Sequence, residues 1–150
     1  MTTQKPPAKV ILVVDDDGLT RKGYERELGL LLKRLIVSNV AVSMFMYESG
    51  QEALDSMKVA LAAEGGPLEC RYEYFVVSDG NMPDMNGDEF LGRARHMLDT
   101  RIKRAFLISG NPEEFRAAAE PIGYTLLGKP TKMSALIDDL RTFLFSDAPT

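Results

Sequence analysis

The chain has no tryptophan, one cysteine and one histidine in 150 residues, and each scarcity removes a class of chemistry. A single cysteine, Cys70, cannot close an internal disulfide, so it reads as a half-buried free thiol in a reducing, cytoplasmic setting. A catalytic cysteine would want a histidine partner, and the one histidine, His96, falls in a helical, arginine-rich stretch. An excess of positive charge is missing too. Lys and Arg number 18 against 22 Asp and Glu, and a net charge of −4 gives no electrostatic pull toward nucleic acid. No apolar run approaches the roughly 20 residues that a membrane helix needs. Residues 1–9 are polar and proline-bearing, without the apolar core of a secretory signal.

What is present suits one soluble domain: 45% apolar and 27% charged residues in a length able to bury a real core. Residues 1–8 read as a flexible lead-in, 9–145 as the domain, and 146–150 as a frayed end. Within the domain, strand-like and helix-period segments alternate, with no internal repeat. Residues 10–14 form a continuous β-branched and apolar run, the mark of a strand buried on both faces. Leu19, Leu28, Leu31, Leu32 and Leu35 then read as the stripe of a first helix. A strand at 40–47 precedes a helix carrying Ala53, Leu54, Met57 and Leu61, broken by Glu64-Gly65-Gly66-Pro67.

Residues 74–77 predict the third strand, and Phe90, Leu91, Ala94, Met97 and Leu98 the third helix. A fourth strand at 105–108 is followed by Asn111-Pro112-Glu113-Glu114, which reads as an N-cap, a proline and two acids opening a short helix. A fifth strand at 122–127 leads to a helix striped by Met133, Leu136, Ile137, Leu140, Phe143 and Leu144. Alternation of this kind implies a parallel sheet with helices on both faces.

Chemistry gathers where those strands end. Asp15-Asp16 follow the first strand, Asp79 the third, Ser109 the fourth and Lys129-Pro130 the fifth. Open parallel sheets build their sites outside the carboxyl ends of strands. Three converging carboxylates repel, so at least one pKa must rise unless a cation compensates. Mg2+ (or Mn2+) takes oxygen ligands from carboxylates, waters and substrate phosphate, and it would screen an anionic nucleophile from an anionic donor. Lys129 can pair with the resting carboxylate and then with phosphoryl oxygens, and Ser109 can donate a hydrogen bond to one.

The segments Val13-Val14-Asp15-Asp16-Asp17, Ser78-Asp79-Gly80-Asn81-Met82-Pro83-Asp84-Met85-Asn86-Gly87, Ile108-Ser109-Gly110 and Lys129-Pro130 together resemble the receiver domain of two-component response regulators. They occur in order over residues 9–145, and the second is the most specific. The resemblance implies a flavodoxin-like, doubly wound (βα)5 fold: a parallel five-stranded sheet of order 2-1-3-4-5 with helices on both faces. It implies a phosphoacceptor signalling domain, not an enzyme. Asp79 would take a phosphoryl group from a histidine kinase or a histidine phosphotransfer protein. Asp16 would bind Mg2+ directly, Asp15 through water, and Asn81 through its backbone carbonyl. Ser109 would be the switch hydroxyl, and Lys129 would hold a phosphoryl oxygen, with a cis bond to Pro130. Asn81 and Asn111 flank the site where the family tunes phosphoryl lifetime. Gly87 would suit a turn that needs permissive backbone angles. The face of the fourth helix, fifth strand and fifth helix would dock a downstream protein or a second copy. No DNA-binding or catalytic segment follows, so a stand-alone receiver is expected, although one excised from a hybrid kinase would read the same.

One departure stands out. The family usually carries an aromatic three residues before the lysine, where this chain has Leu126, with Tyr124 two residues earlier and on the same face of a regular strand. The output surface would then be reached through Tyr124, through backbone shifts, or weakly. Leu126 is also what speaks for a pseudo-receiver, an interaction module on the same fold. A further rival comes from Asp15-Asp16-Asp17-Gly18, which resembles the opening of haloacid-dehalogenase-type phosphatases, with Asp15 as nucleophile and Asp17 as acid–base residue. That rival wants later metal-binding acids at a strand end, whereas Asp138-Asp139 lie inside an amphipathic helix, and it leaves Asp79 unexplained. The remaining residues read as structural: Asp84 and Asp88 as loop and helix-start residues, Met44, Met46 and Met97 as core filler. Arg93, Arg95, His96, Arg101, Lys103 and Arg104 read as a solvated basic face.

Overall fold

Strands in this chain are buried because both faces of each central one are apolar. In β1 (Ala8–Val14), Val10, Leu12 and Val14 enter one core while Ile11 and Val13 enter the other. The computed structural model describes residues 8–35, 41–64 and 71–145. Cys70, the Gly65-Gly66-Pro67 break and the end at 146–150 lie outside them, as does the lead-in except for Ala8. Ala8 belongs to β1, because its N–H is taken by Arg71 O at 2.9 Å.

The remaining elements are α1 (Gly18–Leu35), β2 (Val42–Tyr47), α2 (Gly50–Ala63), β3 (Tyr72–Asp79), α3 (Gly87–Leu98), β4 (Ile102–Ser109), α4 (Arg116–Ile122), β5 (Thr125–Gly128) and α5 (Met133–Phe145). The five strands are parallel in the order β2-β1-β3-β4-β5, as the resemblance implied. One core lies under α2, α3 and α4, centred on Val76, Phe90 and Leu107. The other lies under α1 and α5, centred on Phe75, Phe106 and Leu140. Met44 and Met46 pack against the second and Met97 against the first, as filler. Among the described residues no helix is long and apolar enough to cross a membrane.

Three expectations need correction. Leu19 is 78% exposed, whereas Leu28 is fully buried. A separation of nine positions makes about two and a half helical turns, which puts them on opposite sides. β5 starts at Thr125 rather than at 122 because Ile122 still belongs to α4. Gly123 ends that helix at φ 87°, a left-handed conformation that glycine adopts without penalty. Asn111 does precede a helical turn, but the turn is a 3-10 segment, Pro112–Phe115, and its side chain makes no cap. Its backbone N–H goes instead to Ser109 Oγ at 3.0 Å.

The basic stretch is tied into the fold. Arg93 pairs with Glu89 at 2.7 Å, Arg101 with Glu64 at 2.7 Å, and Lys103 with Glu73 at 3.5 Å. Arg95 does most: its guanidinium donates to the carbonyls of Asp99 (3.1 Å), Ile102 (2.8 Å), Ile122 (3.2 Å) and Gly123 (3.0 Å). It thereby fastens the end of α3, the start of β4 and the α4–β5 corner with one planar fork. Arg95→Ala should lower stability in urea unfolding by about 2–3 kcal/mol, and Arg95→Lys should recover little, because one ammonium cannot span four carbonyls.

Candidate functional site

The register of β1 against β3 decides the site. Val14 pairs with Ser78, so the next residue on each strand, Asp15 and Asp79, lies side by side at the carboxyl end of the sheet. Asp15, Asp16 and Asp79 each place a carboxylate oxygen within 4.8 Å of the others. Asp15 is 3% and Asp79 7% exposed, while Asp16 faces solvent. The backbone beneath is held tightly. Asp15 N–H donates to Tyr47 O at 3.0 Å, Arg21 Nη1 donates to Asp15 O at 2.7 Å, and Asp17 N–H donates to Asp15 Oδ1 at 2.9 Å.

Lys129 Nζ reaches Asp79 Oδ1 at 2.8 Å. The lysine's own N–H bonds Ser109 O at 2.9 Å, and the bond between Lys129 and Pro130 is cis, as the resemblance implied. Ser109 stands one residue beyond Ile108, the partner of Asp79 in β4, and is 1% exposed. A cleft of about 320 Å³ opens beside Lys129, lined among others by Thr20, Tyr24, Pro130 and Met133. Asn81 is exposed on the loop that follows Asp79.

Burial and crowding work on the acids together. Desolvation, aided by the nearby charges of Asp79 and Asp16, raises the Asp15 carboxyl to about 6, against the pull of the Asp17 N–H and of Lys129. Asp79 is raised as well, chiefly by desolvation and by Asp16, with Lys129 opposing. For Lys129, burial works against the charged form, but the hydrogen bond and charge of Asp79 outweigh it and its pKa rises. Three hard oxygen donors this close, two of them already resisting ionisation, fit a small divalent cation better than they fit one another.

Asp17, by contrast, is taken up as the cap of α1. Its Oδ2 accepts from Thr20 Oγ1 at 2.5 Å and from Thr20 N–H at 3.3 Å, and the Thr20 hydroxyl holds its pKa below the usual range. A carboxylate held there is poorly placed for acid–base work, which weighs against the phosphatase rival.

Two glycines shape the floor. A Cβ on Gly87 would lie 2.3 Å from Asp79 O, and Gly87 N–H donates to Gly80 O at 2.8 Å. Gly87 opens α3, so what it supplies is close backbone approach and not an unusual turn angle, contrary to the sequence expectation. At Gly80 a Cβ would meet Phe115 Cε2 at 2.7 Å and Ser109 Cβ at 3.0 Å, so a fully buried phenylalanine ring fills the gap beside the phosphoacceptor candidate. Tyr124 precedes β5, shares a core with Leu126, and donates its hydroxyl to Phe115 O.

Sequence reasoning missed the partners of Phe115 and of Asp84. Asp84 is a loop residue as expected, yet it accepts hydrogen bonds from the first turn of α2. Asp88 caps locally, its Oδ1 accepting from Glu89 N–H at 2.9 Å in the first turn of α3.

No family model and no curated protein matches the chain. Solved structures do. The chain is similar to Vibrio cholerae chemotaxis protein CheY4, with 25% identity over 91% of this chain and 98% of that one and a TM-score of 0.60. It is similar to the signal receiver domain of an HD domain-containing protein from Pseudomonas fluorescens Pf-5, with 19% identity, 97% and 93% coverage and a TM-score of 0.67. A chain of the CheX–CheY–BeF3–Mg+2 complex from Borrelia burgdorferi matches at 20% identity, 91% and 90% coverage and a TM-score of 0.59. Those matches run nearly end to end, and the five parallel strands in the order β2-β1-β3-β4-β5 give the chain the flavodoxin-like fold of these CheY-like receiver domains.

Proposed function

We propose that the chain is a receiver domain, phosphorylated on Asp79 by a phosphohistidine donor, and that the modification alters a protein-binding face. The observation that carries the reading is the Lys129–Asp79 contact of 2.8 Å on a buried carboxylate flanked by two more acids. Asp79 attacks phosphorus, the phosphorus–nitrogen bond to the donor imidazole breaks, and the imidazole leaves with the electron pair. Lys129 can pivot from the carboxylate to a phosphoryl oxygen, since its side chain is 43% exposed and free to turn. Ser109 keeps its hydroxyl proton for another phosphoryl oxygen, because its Oγ accepts from Asn111 N–H. Asp15, Asp16 and Asp79, with the Asn81 carbonyl, would hold Mg2+ or Mn2+, which when bound offsets the charge between nucleophile and donor. The domain serves signalling and not turnover, in the cytoplasm, with a histidine kinase or phosphotransfer protein upstream.

Transmission follows from the packing. Phe115 touches the residue next to Asp79, opens onto α4, and is bonded through its carbonyl by Tyr124. Displacement of Gly80 or Ser109 is therefore felt by α4, and we assign to Tyr124 the part that an aromatic at 126 plays in the family. The α4–β5–α5 face would then present the altered surface to a target protein or a second copy.

Intact-mass measurement after acetyl phosphate and Mg2+ tests the chemistry. Wild type should gain one phosphoryl group and Asp79→Asn none; an adduct persisting on the variant would mean another nucleophile, and no adduct on wild type would favour a pure interaction module. Tyr124→Phe should still be phosphorylated, yet show a smaller phosphorylation-induced change in hydrogen exchange across residues 112–122. The acid cluster also sets a pH dependence. Asp15 has a folded pKa of about 6 against 3.8 for the free carboxyl, so between those values the folded state holds the extra proton. Stability of the metal-free protein from this group therefore falls as pH rises through about 6, by on the order of 3 kcal/mol in full. Asp15→Asn, whose amide oxygen keeps the Asp17 bond, should be more stable than wild type in metal-free urea melts at pH 7 and should lose that advantage by pH 4.

A further inference from the structure

The loop at 80–86, between β3 and α3, bears Asn81 and is closed at its base by the bond from Gly87 N–H to Gly80 O. Its far side is tied to another element. Asp84 Oδ2 accepts from Gln51 N–H at 2.8 Å and Oδ1 from Gly50 N–H at 3.3 Å, the first two residues of α2. Beside this bond the Met85 side chain fills the space that a Cβ on Gly50 would need, at 2.9 Å.

α2 does not depend on Asp84 to begin. Ser49 is its own N-cap, with Oγ accepting from Glu52 N–H at 3.2 Å. What Asp84 adds is a long-range link, and the corner it grips is the one that holds Asp15: Tyr47, two residues before Ser49, accepts the Asp15 N–H. One side of the acid cluster hangs from the β2–α2 corner, the other from the loop after Asp79. The two carboxylate hydrogen bonds of Asp84 join them.

We propose that Asp84 is a positioning residue of the metal site, which sets the spacing between the Asn81 loop and the Asp15-Asp16 pair without touching the ion. The inference deepens the phosphoacceptor reading and rests on it for the choice of Mg2+. Calorimetric titration of the full chain with Mg2+ alone, without phosphodonor, tests it, alongside metal-free thermal melts. Asp84→Ala should weaken the Mg2+ constant about tenfold, whereas Asp84→Asn, which keeps one acceptor oxygen, should stay within about twofold of wild type. Ser49→Ala removes a cap from the same helix without touching the loop; it should lower the melting temperature and leave the Mg2+ constant unchanged. Equal Mg2+ constants for wild type and Asp84→Ala would overturn the proposal, as would equal weakening in Ser49→Ala or a wild type that binds no Mg2+. A wild type that binds Mg2+ but takes no phosphoryl group from acetyl phosphate would instead sink the phosphoacceptor reading, with the Asp84 comparison still decisive for positioning.

Discussion

Mutual repulsion among Asp15, Asp16 and Asp79 is the constraint around which the molecule is arranged. Like charges within 4.8 Å of one another, two of them buried, push their carriers apart unless the backbone refuses to move. Refusal comes from every side. Arg21 holds the Asp15 carbonyl, Tyr47 receives its N–H, Ile108 receives the Gly80 N–H, and Ser109 receives the Lys129 N–H. Lys129 lies on Asp79 but does not cancel the cluster, and both Asp79 and Asp15 resist ionisation. A fold that holds anions together in this way stores the affinity that a cation can later use.

The sheet can bear this load because the rest of it is apolar on both faces. Polar groups are confined to its two ends. At the opposite end Lys9, 2% exposed, bonds Glu73 at 2.7 Å and lies 4.9 Å above the Phe143 ring, while Lys103 closes on the same glutamate. There each oxygen of the Glu73 carboxylate meets a lysine, whereas the acid cluster sets three carboxylates against Lys129. The difference between the ends, more than the presence of charge, is what marks one of them as a site.

Much of this was legible because it is local or topological. Strand-end acids, the hydroxyl and the lysine follow apolar runs directly, and once the strands are parallel and ordered their convergence follows. Legibility failed where geometry depends on distant partners or on helical phase. Nothing near Asp84 in sequence points to Gly50 and Gln51, and nothing near Arg95 points to Ile122 and Gly123. Leu19 falls outside the buried stripe because helical phase and not apolarity decides its side, and the start of β5 is hidden because Ile122 and Gly123 suit a strand as well as a helix end. Gly87 was read for its turn angles, but what matters there is the Asp79 carbonyl pressed against its Cα hydrogens.

The Arg95 fork has a mechanical consequence. α4 is a short helix whose far end, at Ile122 and Gly123, is bolted to α3 by two of the four carbonyl bonds, while its near end begins at Phe115 beside Gly80. With one end bolted, a push at Phe115 is not spent on sliding the helix along the sheet. Any such push would rock α4 about the Gly123 corner, with the widest arc at the near end of the helix and the least at the corner.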